Sequence, residues 1–180
     1  MRSCEIRWFL SCAALVVLLA GCQASEDAQT IAERQKYLLA TEPSGAMTVI
    51  DVRSQFNEGE ESAPNAQTVV MVGRVGAGAN QTWDPSEAAF VISDPSLPED
   101  THHAEDGHDH DNCPFCQQQK DQAMKATALV RITDDQGQVV PIDARRLLAI
   151  EDGQLVVVRG KATVDQLGNL VVAADGVYVR

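Results

Sequence analysis

From residue 67 to the C-terminus, short valine-rich runs recur between breaks that carry glycine or aspartate. They are "TVVMVGRV" (68–75), "AAFVISD" (88–94), "TALVRITD" (127–134), "QVVPID" (138–143), "QLVVVRGKAT" (154–163), "NLVVAAD" (169–175) and "GVYVR" (176–180). β-Branched side chains favour a pleated, half-buried surface, and runs this short suit strands better than helices. Gly73 inside the first run suits a bent strand. Gly137 in "DQGQ" supplies the turn of a hairpin, and "DQLG" and Gly176 separate the last three runs. Pro141 lacks an N–H and so belongs at an edge or a bulge. Only "ARRLLAI" (144–150) reads as a helical turn or two within this half. The expected fold class is therefore mainly β, a small closed barrel of short strands with one short helix.

The order of these pieces is informative. Two strands, a polar insertion at about 95–125, a strand that folds back, a short helix and a closing pair resemble the OB-fold, whose helix lies between its third and fourth strands. The resemblance covers about residues 67–180 and rests on this pattern. Upstream, "SEDAQTIAERQKYLLA" reads as a short helix. "TVIDVR" reads as either a short strand or part of a helix, and 53–66 reads as a flexible linker. The expected organisation is a leader at 1–21, a tether and partly helical region at 22–66, and the barrel at 67–180.

The N-terminus has the grammar of an export signal. Arg2 and Arg7 precede the apolar run "WFLSCAALVVLLA", which is shorter than the roughly 20 residues a membrane-spanning helix needs. It ends in "LAGC", Leu19 to Cys22, which closely resembles the lipobox of bacterial lipoproteins. That resemblance implies acylation of Cys22, cleavage before it, and a membrane-anchored protein of the cell envelope facing the periplasm or exterior. Gln23 after the cysteine implies no inner-membrane retention. Together with the barrel, it implies an OB-fold-like envelope lipoprotein. Cys4 and Cys12 would leave with the signal, so only Cys113 and Cys116 would remain as thiols, in an oxidising compartment.

Charge then narrows the function. Without Arg2, Arg7 and Glu5 of the signal, 12 basic and 25 acidic residues remain of the chain's 14 and 26. Such a surface repels phosphate backbones and attracts cations. No Lys or Arg lies between Arg74 and Lys120, a stretch holding nine carboxylates, among them Asp84, Glu87, Asp94, Glu105, Asp109 and Asp111. Oligonucleotide binding needs a basic groove and a stacking series. The expected strands carry only Arg74, Arg131, Arg159, Lys161 and Arg180, and Tyr37, Phe56, Trp83, Phe90, Phe115 and Tyr178 form no such series. No nucleic acid partner is expected. "GRVGAGAN" lacks the GK[ST] end of a phosphate loop, and there is no G-x-S-x-G elbow, so no enzymatic activity is expected either.

One segment gathers unusual chemistry. "HHAEDGHDHDNCPFC" (102–116) holds all four histidines and two of the five cysteines. Cys113 and Cys116 have the spacing that lets two sulfurs reach one ion, and Pro114 stiffens the turn between them. His108 and His110 alternate, so in an extended chain both rings face one side. His-x-His-x2-Cys-x2-Cys thus offers four donors to a tetrahedral ion, with His102 and His103 as further donors and Glu105, Asp109 and Asp111 as acceptors for the imidazole N–H groups. Two thiolates and two imidazoles suit Zn(II) or Cu(I). The expected function is transition-metal binding at the envelope through this segment, with the barrel as its pedestal and room for handover to an envelope protein partner.

Two other readings stand beside it. The barrel could be a protein-interaction module without metal, the segment serving as a spacer. Alternatively, Cys113-Pro-Phe-Cys116 could be a thiol–disulfide pair, since it resembles the thioredoxin active-site motif, although the βαβ pattern of that fold is missing. Residue 117 is Gln, which disfavours c-type haem attachment. A simple structural disulfide is the plainest reading of the pair.

Overall fold

The computed structural model describes residues 28–57, 66–76, 81–97, 122 and 124–180. In chain order the elements are α1 (Ala28–Tyr37), β1 (Met47–Thr48), α2 (Val49–Asn57), β2 (Gln67–Val75), β3 (Ala89–Ser93), β4 (Thr127–Ile132), α3 (Ala144–Leu148), β5 (Leu155–Val164) and β6 (Leu170–Val179). Five strands close on themselves. The sheet runs β2-β3-β4-β6-β5, and β5 pairs back onto β2 over eight residues, from Gln67↔Ala162 to Arg74↔Leu155. All barrel pairings are antiparallel except β4–β6, which is parallel. With α3 between the third and fourth barrel strands, this is a small OB-like barrel.

The strands form where period-2 alternation meets β-branched side chains. Val69, Met71 and Val75 of β2, Phe90 and Ile92 of β3, Val130 and Ile132 of β4, Val156 and Val158 of β5, and Leu170 and Val172 of β6 all point inward and are buried. Full closure leaves no open sheet edge along most of the wall. Gly73 lies within β2, beside the core side chain of Ile92. A Cβ there would stand 2.7 Å from Ile92 Cδ1, so its hydrogen makes room for the neighbouring core residue.

The last two runs are one strand. Gly176 does not separate them: β6 is continuous to Val179, and the register shifts between Arg159↔Gly176 and Gly160↔Ala174, leaving Asp175 as the extra residue of a bulge. The bulge bends β6 as it turns the barrel corner. The hairpin at Gly137 is present and short. Gly137 takes φ 76° at its turn, and "QVVPID" pairs through the bridge Thr133↔Val139 and the hydrogen bonds Asp134 N–H to Gln138 O at 2.9 Å and Val140 N–H to Ile132 O at 3.0 Å, with Pro141 beyond it. Pro141 has no N–H to extend the ladder, so the chain leaves for α3 instead.

Each end of the barrel is plugged. At one end, reached by the β2–β3 connection and the β4–β5 connection, α3 seals the interior with Leu147 and Leu148, helped by Ile150 just beyond it. Asp143 caps α3 by accepting the Arg145 N–H at 2.8 Å, and Ala149 ends it in a left-handed conformation. Arg34 of α1 reaches the free carbonyls at the helix end, Arg146 O at 2.8 Å and Leu147 O at 3.0 Å. At the other end, α2 inserts Val49 and Val52, both fully buried. Arg53 fixes that helix to the rim by donating to Gly168 O at 2.8 Å and Thr127 O at 3.2 Å.

The N-terminal region also completes the wall. β1 runs parallel to β2 at Met47↔Met71 and Thr48↔Val72, below the point where β3 leaves that edge. Leu38 bridges Val177, and the Leu39 N–H donates to Val177 O at 2.8 Å, along the part of β6 that β4 does not reach. "TVIDVR" therefore divides: its threonine belongs to a strand, and the rest starts a helix that runs to Asn57, into the stretch expected as linker.

Candidate functional site

The histidine- and cysteine-bearing segment interrupts the β3–β4 hairpin. The ladder between those strands holds from Ala89↔Arg131 to Ser93↔Thr127, and one further hydrogen bond, Asp94 N–H to Ala126 O at 2.8 Å, closes it. The chain departs from the ladder at Asp94 and returns to it at Ala126. His102, His103, His108, His110, Cys113 and Cys116 all fall between them and lie outside the described residues, as does Cys22. All nine histidines and cysteines do so. Among the described residues, no group of three or more His, Cys, Asp or Glu is placed to hold a metal ion.

The departure point is built around one carboxylate. Asp94 is 1% exposed. Its Oδ1 accepts from the Ser96 N–H at 3.0 Å and the Ser96 hydroxyl at 2.7 Å, and its Oδ2 accepts from the Ile50 N–H at 2.9 Å. Burial pushes this carboxyl up, but the Ile50 and Ser96 donors, with Thr48, outweigh it and hold it below its ordinary value. Asp94 thereby caps the first turn of α2 from a distant strand while fixing the first turn of the insertion. One side chain joins the N-terminal region, the barrel and the root of the histidine- and cysteine-bearing segment.

At the opposite end sits a second cluster that the sequence pattern did not single out. Trp83 lies in the β2–β3 connection and bridges Phe90. Its indole N–H donates to Asp152 Oδ2 at 3.1 Å, and its ring centroid is 5.8 Å from that of Phe90 at 31°. The Arg145 guanidinium stands 5.6 Å from the indole centroid, in cation–π range. Arg145 is itself held by Asp143, whose carboxyl its hydrogen bonds keep below the ordinary range. Trp83 contributes to the lining of two open grooves. One, of about 270 Å³, is floored by Val91 and Leu129 and edged by Asp84, Glu87 and Arg131. The other, of about 330 Å³, lies against Ile150, Glu151 and Asp152. Trp83 and Asp152 are 69 residues apart, and no local motif links them.

The chain matches no protein-family model, and no curated protein matches it. Among the described residues, no helix is long and apolar enough to cross a membrane. Fold and chemistry therefore carry the functional reading.

Proposed function

We propose that this is a lipid-anchored envelope protein, attached through Cys22, that binds Zn(II) or Cu(I) with the segment rooted at Asp94 and Ala126. His108, His110, Cys113 and Cys116 are the donors, and His102 and His103 extend the set. The carrying observation is the root itself. The β3–β4 ladder and the Asp94–Ala126 hydrogen bond close the hairpin where the segment departs, which supports reading its donors as additional to the barrel. Donors gathered in one short stretch of chain suit exchangeable capture, whereas a structural zinc site joins distant parts of a fold. The surrounding carboxylates raise the local cation concentration. No catalytic role is assigned.

The test is equilibrium dialysis of the full-length, detergent-solubilised and reduced protein against Zn(II), and anaerobically against Cu(I). One ion per chain is expected, with Cys113→Ser and Cys116→Ser each weakening binding by about 100-fold or more. Equal, weak uptake by the wild type and both variants would remove the proposal.

A further inference from the structure

We propose that the outer face of α1 lies against a phospholipid bilayer and turns the barrel so that the root of the histidine- and cysteine-bearing segment faces away from the membrane. The proposal rests on the Cys22 anchor and deepens that reading by giving it a docking surface.

Chain length sets the neighbourhood. Ala28, the first residue of α1, follows Cys22 by six residues. Even fully extended, six residues span only about 20 Å, so a lipid on Cys22 keeps the start of α1 within that reach of the headgroups. A contact too weak to hold a free protein to a bilayer becomes well populated on so short a tether, because the tether raises the effective concentration of the two surfaces.

Helical spacing says which face makes the contact. Thr30 and Tyr37 are buried and Arg34 reaches the α3 carbonyls, so this side of α1 turns to the barrel. Ala28, Ile31, Ala32 and Gln35 fall on the opposite side, all exposed and none ionisable. Glu33 and Lys36 pair with each other on the flank at 2.7 Å. Ile31 is 41% exposed, one of four large apolar side chains so placed among the described residues. An uncharged helix face with such a side chain suits the boundary between headgroups and acyl chains. Charge selects the lipid. Glu26 and Asp27 precede the helix on a chain of net charge −12, so zwitterionic headgroups that carry an ammonium, as in phosphatidylethanolamine, fit this surface better than anionic ones.

Topology then fixes what points outward. α1 packs on α3 and β6, and Leu38 after it bridges Val177, close to the C-terminal end of β6. Strands such as the ten-residue β5, about 30 Å long, separate this end of the barrel from the other. Asp94 and Ala126 stand at that far end, with the exposed Ile50 bonded to Asp94 and the exposed Leu167 next to the carbonyl that Arg53 holds. With α1 on the bilayer, the root of the segment stands about one barrel length from the lipid. A partner receiving metal there approaches from the aqueous side and is not embedded in the same membrane.

The unaltered chain carries reporters at both ends. The processed protein, methyl-labelled at alanine, isoleucine and leucine, is assembled on phosphatidylcholine–phosphatidylethanolamine nanodiscs that contain a trace of lipid with a gadolinium-chelate headgroup. With the two ends about 30 Å apart, the methyl signals of Ala28, Ile31 and Ala32 should broaden at least about fivefold more than those of Ile50 and Leu167. Ile31→Glu should remove most of this excess at Ala28 and Ala32 while the protein stays on the discs, and Leu167→Glu should leave it unchanged. Exchanging the zwitterionic lipids for phosphatidylglycerol should also reduce it. Circular dichroism checks that both variants keep the fold. Equal broadening at the two ends, stronger broadening at Leu167, or an excess that survives Ile31→Glu, which marks the tether alone, overturns the orientation and leaves the anchor standing. Protein that does not co-purify with the discs overturns the anchor and the orientation with it.

Discussion

The two ends of the barrel solve the same problem in different ways. Both must seal an apolar interior, and each uses a helix, yet the α3 end is filled by larger apolar side chains while the α2 end combines smaller ones with a buried carboxylate clamp. At the α3 end, Leu147, Leu148 and Ile150 fill the opening, Arg34 closes the helix carbonyls, and Trp83 ties the β2–β3 connection to Asp152. At the α2 end, smaller valines fill the opening, and Asp94 and Arg53 hold the helix by hydrogen bonds to its first turn and to the rim. The long insertion emerges from the clamped end. Connections of this sort are where function concentrates.

The contrast has measurable consequences. The largest belongs to the apolar plug. Leu147→Ala removes a fully buried side chain from the α3 end and should destabilise by about 3 kcal/mol. Val52→Ala at the α2 end removes less and should lie below that. Denaturant unfolding of both checks the order, and a larger loss at Val52 would reverse the comparison.

Next comes the clamp. Asp94→Asn leaves one buried donor facing another and should destabilise by about 2 kcal/mol. Its pH dependence has a definite sign. The folded carboxyl is held below its ordinary value, so between the folded value and the unfolded one, near 3.9, the unfolded state binds more protons. The Asp94 contribution is therefore fully present above the unfolded value and is lost as pH falls through the folded value. Wild type minus Asp94→Asn stability, measured from pH 7 downward, should shrink only on the acid side. A difference that grows on acidification contradicts the assignment.

Arg53→Ala should come third, at about 1 kcal/mol, from two lost hydrogen bonds to carbonyls on the rim. Hydrogen exchange should quicken in α2 and leave α3 unchanged. The smallest effect is expected for the insertion. Replacing residues 98–121 by a short Gly/Ser linker should shift stability by about 1 kcal/mol or less, because loop-closure entropy varies slowly with length.

The barrel was legible because its information is local. Alternating valines, turn glycines and the short run after Pro141 yield strand order and helix position without any knowledge of neighbours. What escaped depends on neighbours. Met47–Thr48 is two residues long and is a strand only because β2 lies beside it. Phe56 sits in a helix that "NEGEESAPNAQ" downstream made look like linker, since its valines are buried by the barrel and not by one another. Gly176 reads as a break in sequence, and only the offset against Arg159 and Gly160 shows it to be part of a bulged strand. The Trp83 cluster was illegible for the same reason: its members come from separate connections, and the only sequence signal was an aromatic in a polar loop. The histidines and cysteines proposed as metal donors are the reverse case, conspicuous as residue types, while their placement lies outside the described residues.

Metal capture as proposed requires donors that one segment carries apart from the fold. Cobalt(II) titration of the anaerobically reduced protein tests this most directly, read by absorption with thermal unfolding followed in the same samples. A thiolate charge-transfer band is expected that saturates at one ion per chain, disappears in the residue 98–121 replacement, and leaves that variant's unfolding close to that of the metal-free wild type. Absence of the band in the wild type, or collapse of the barrel when the segment is replaced, would contradict it.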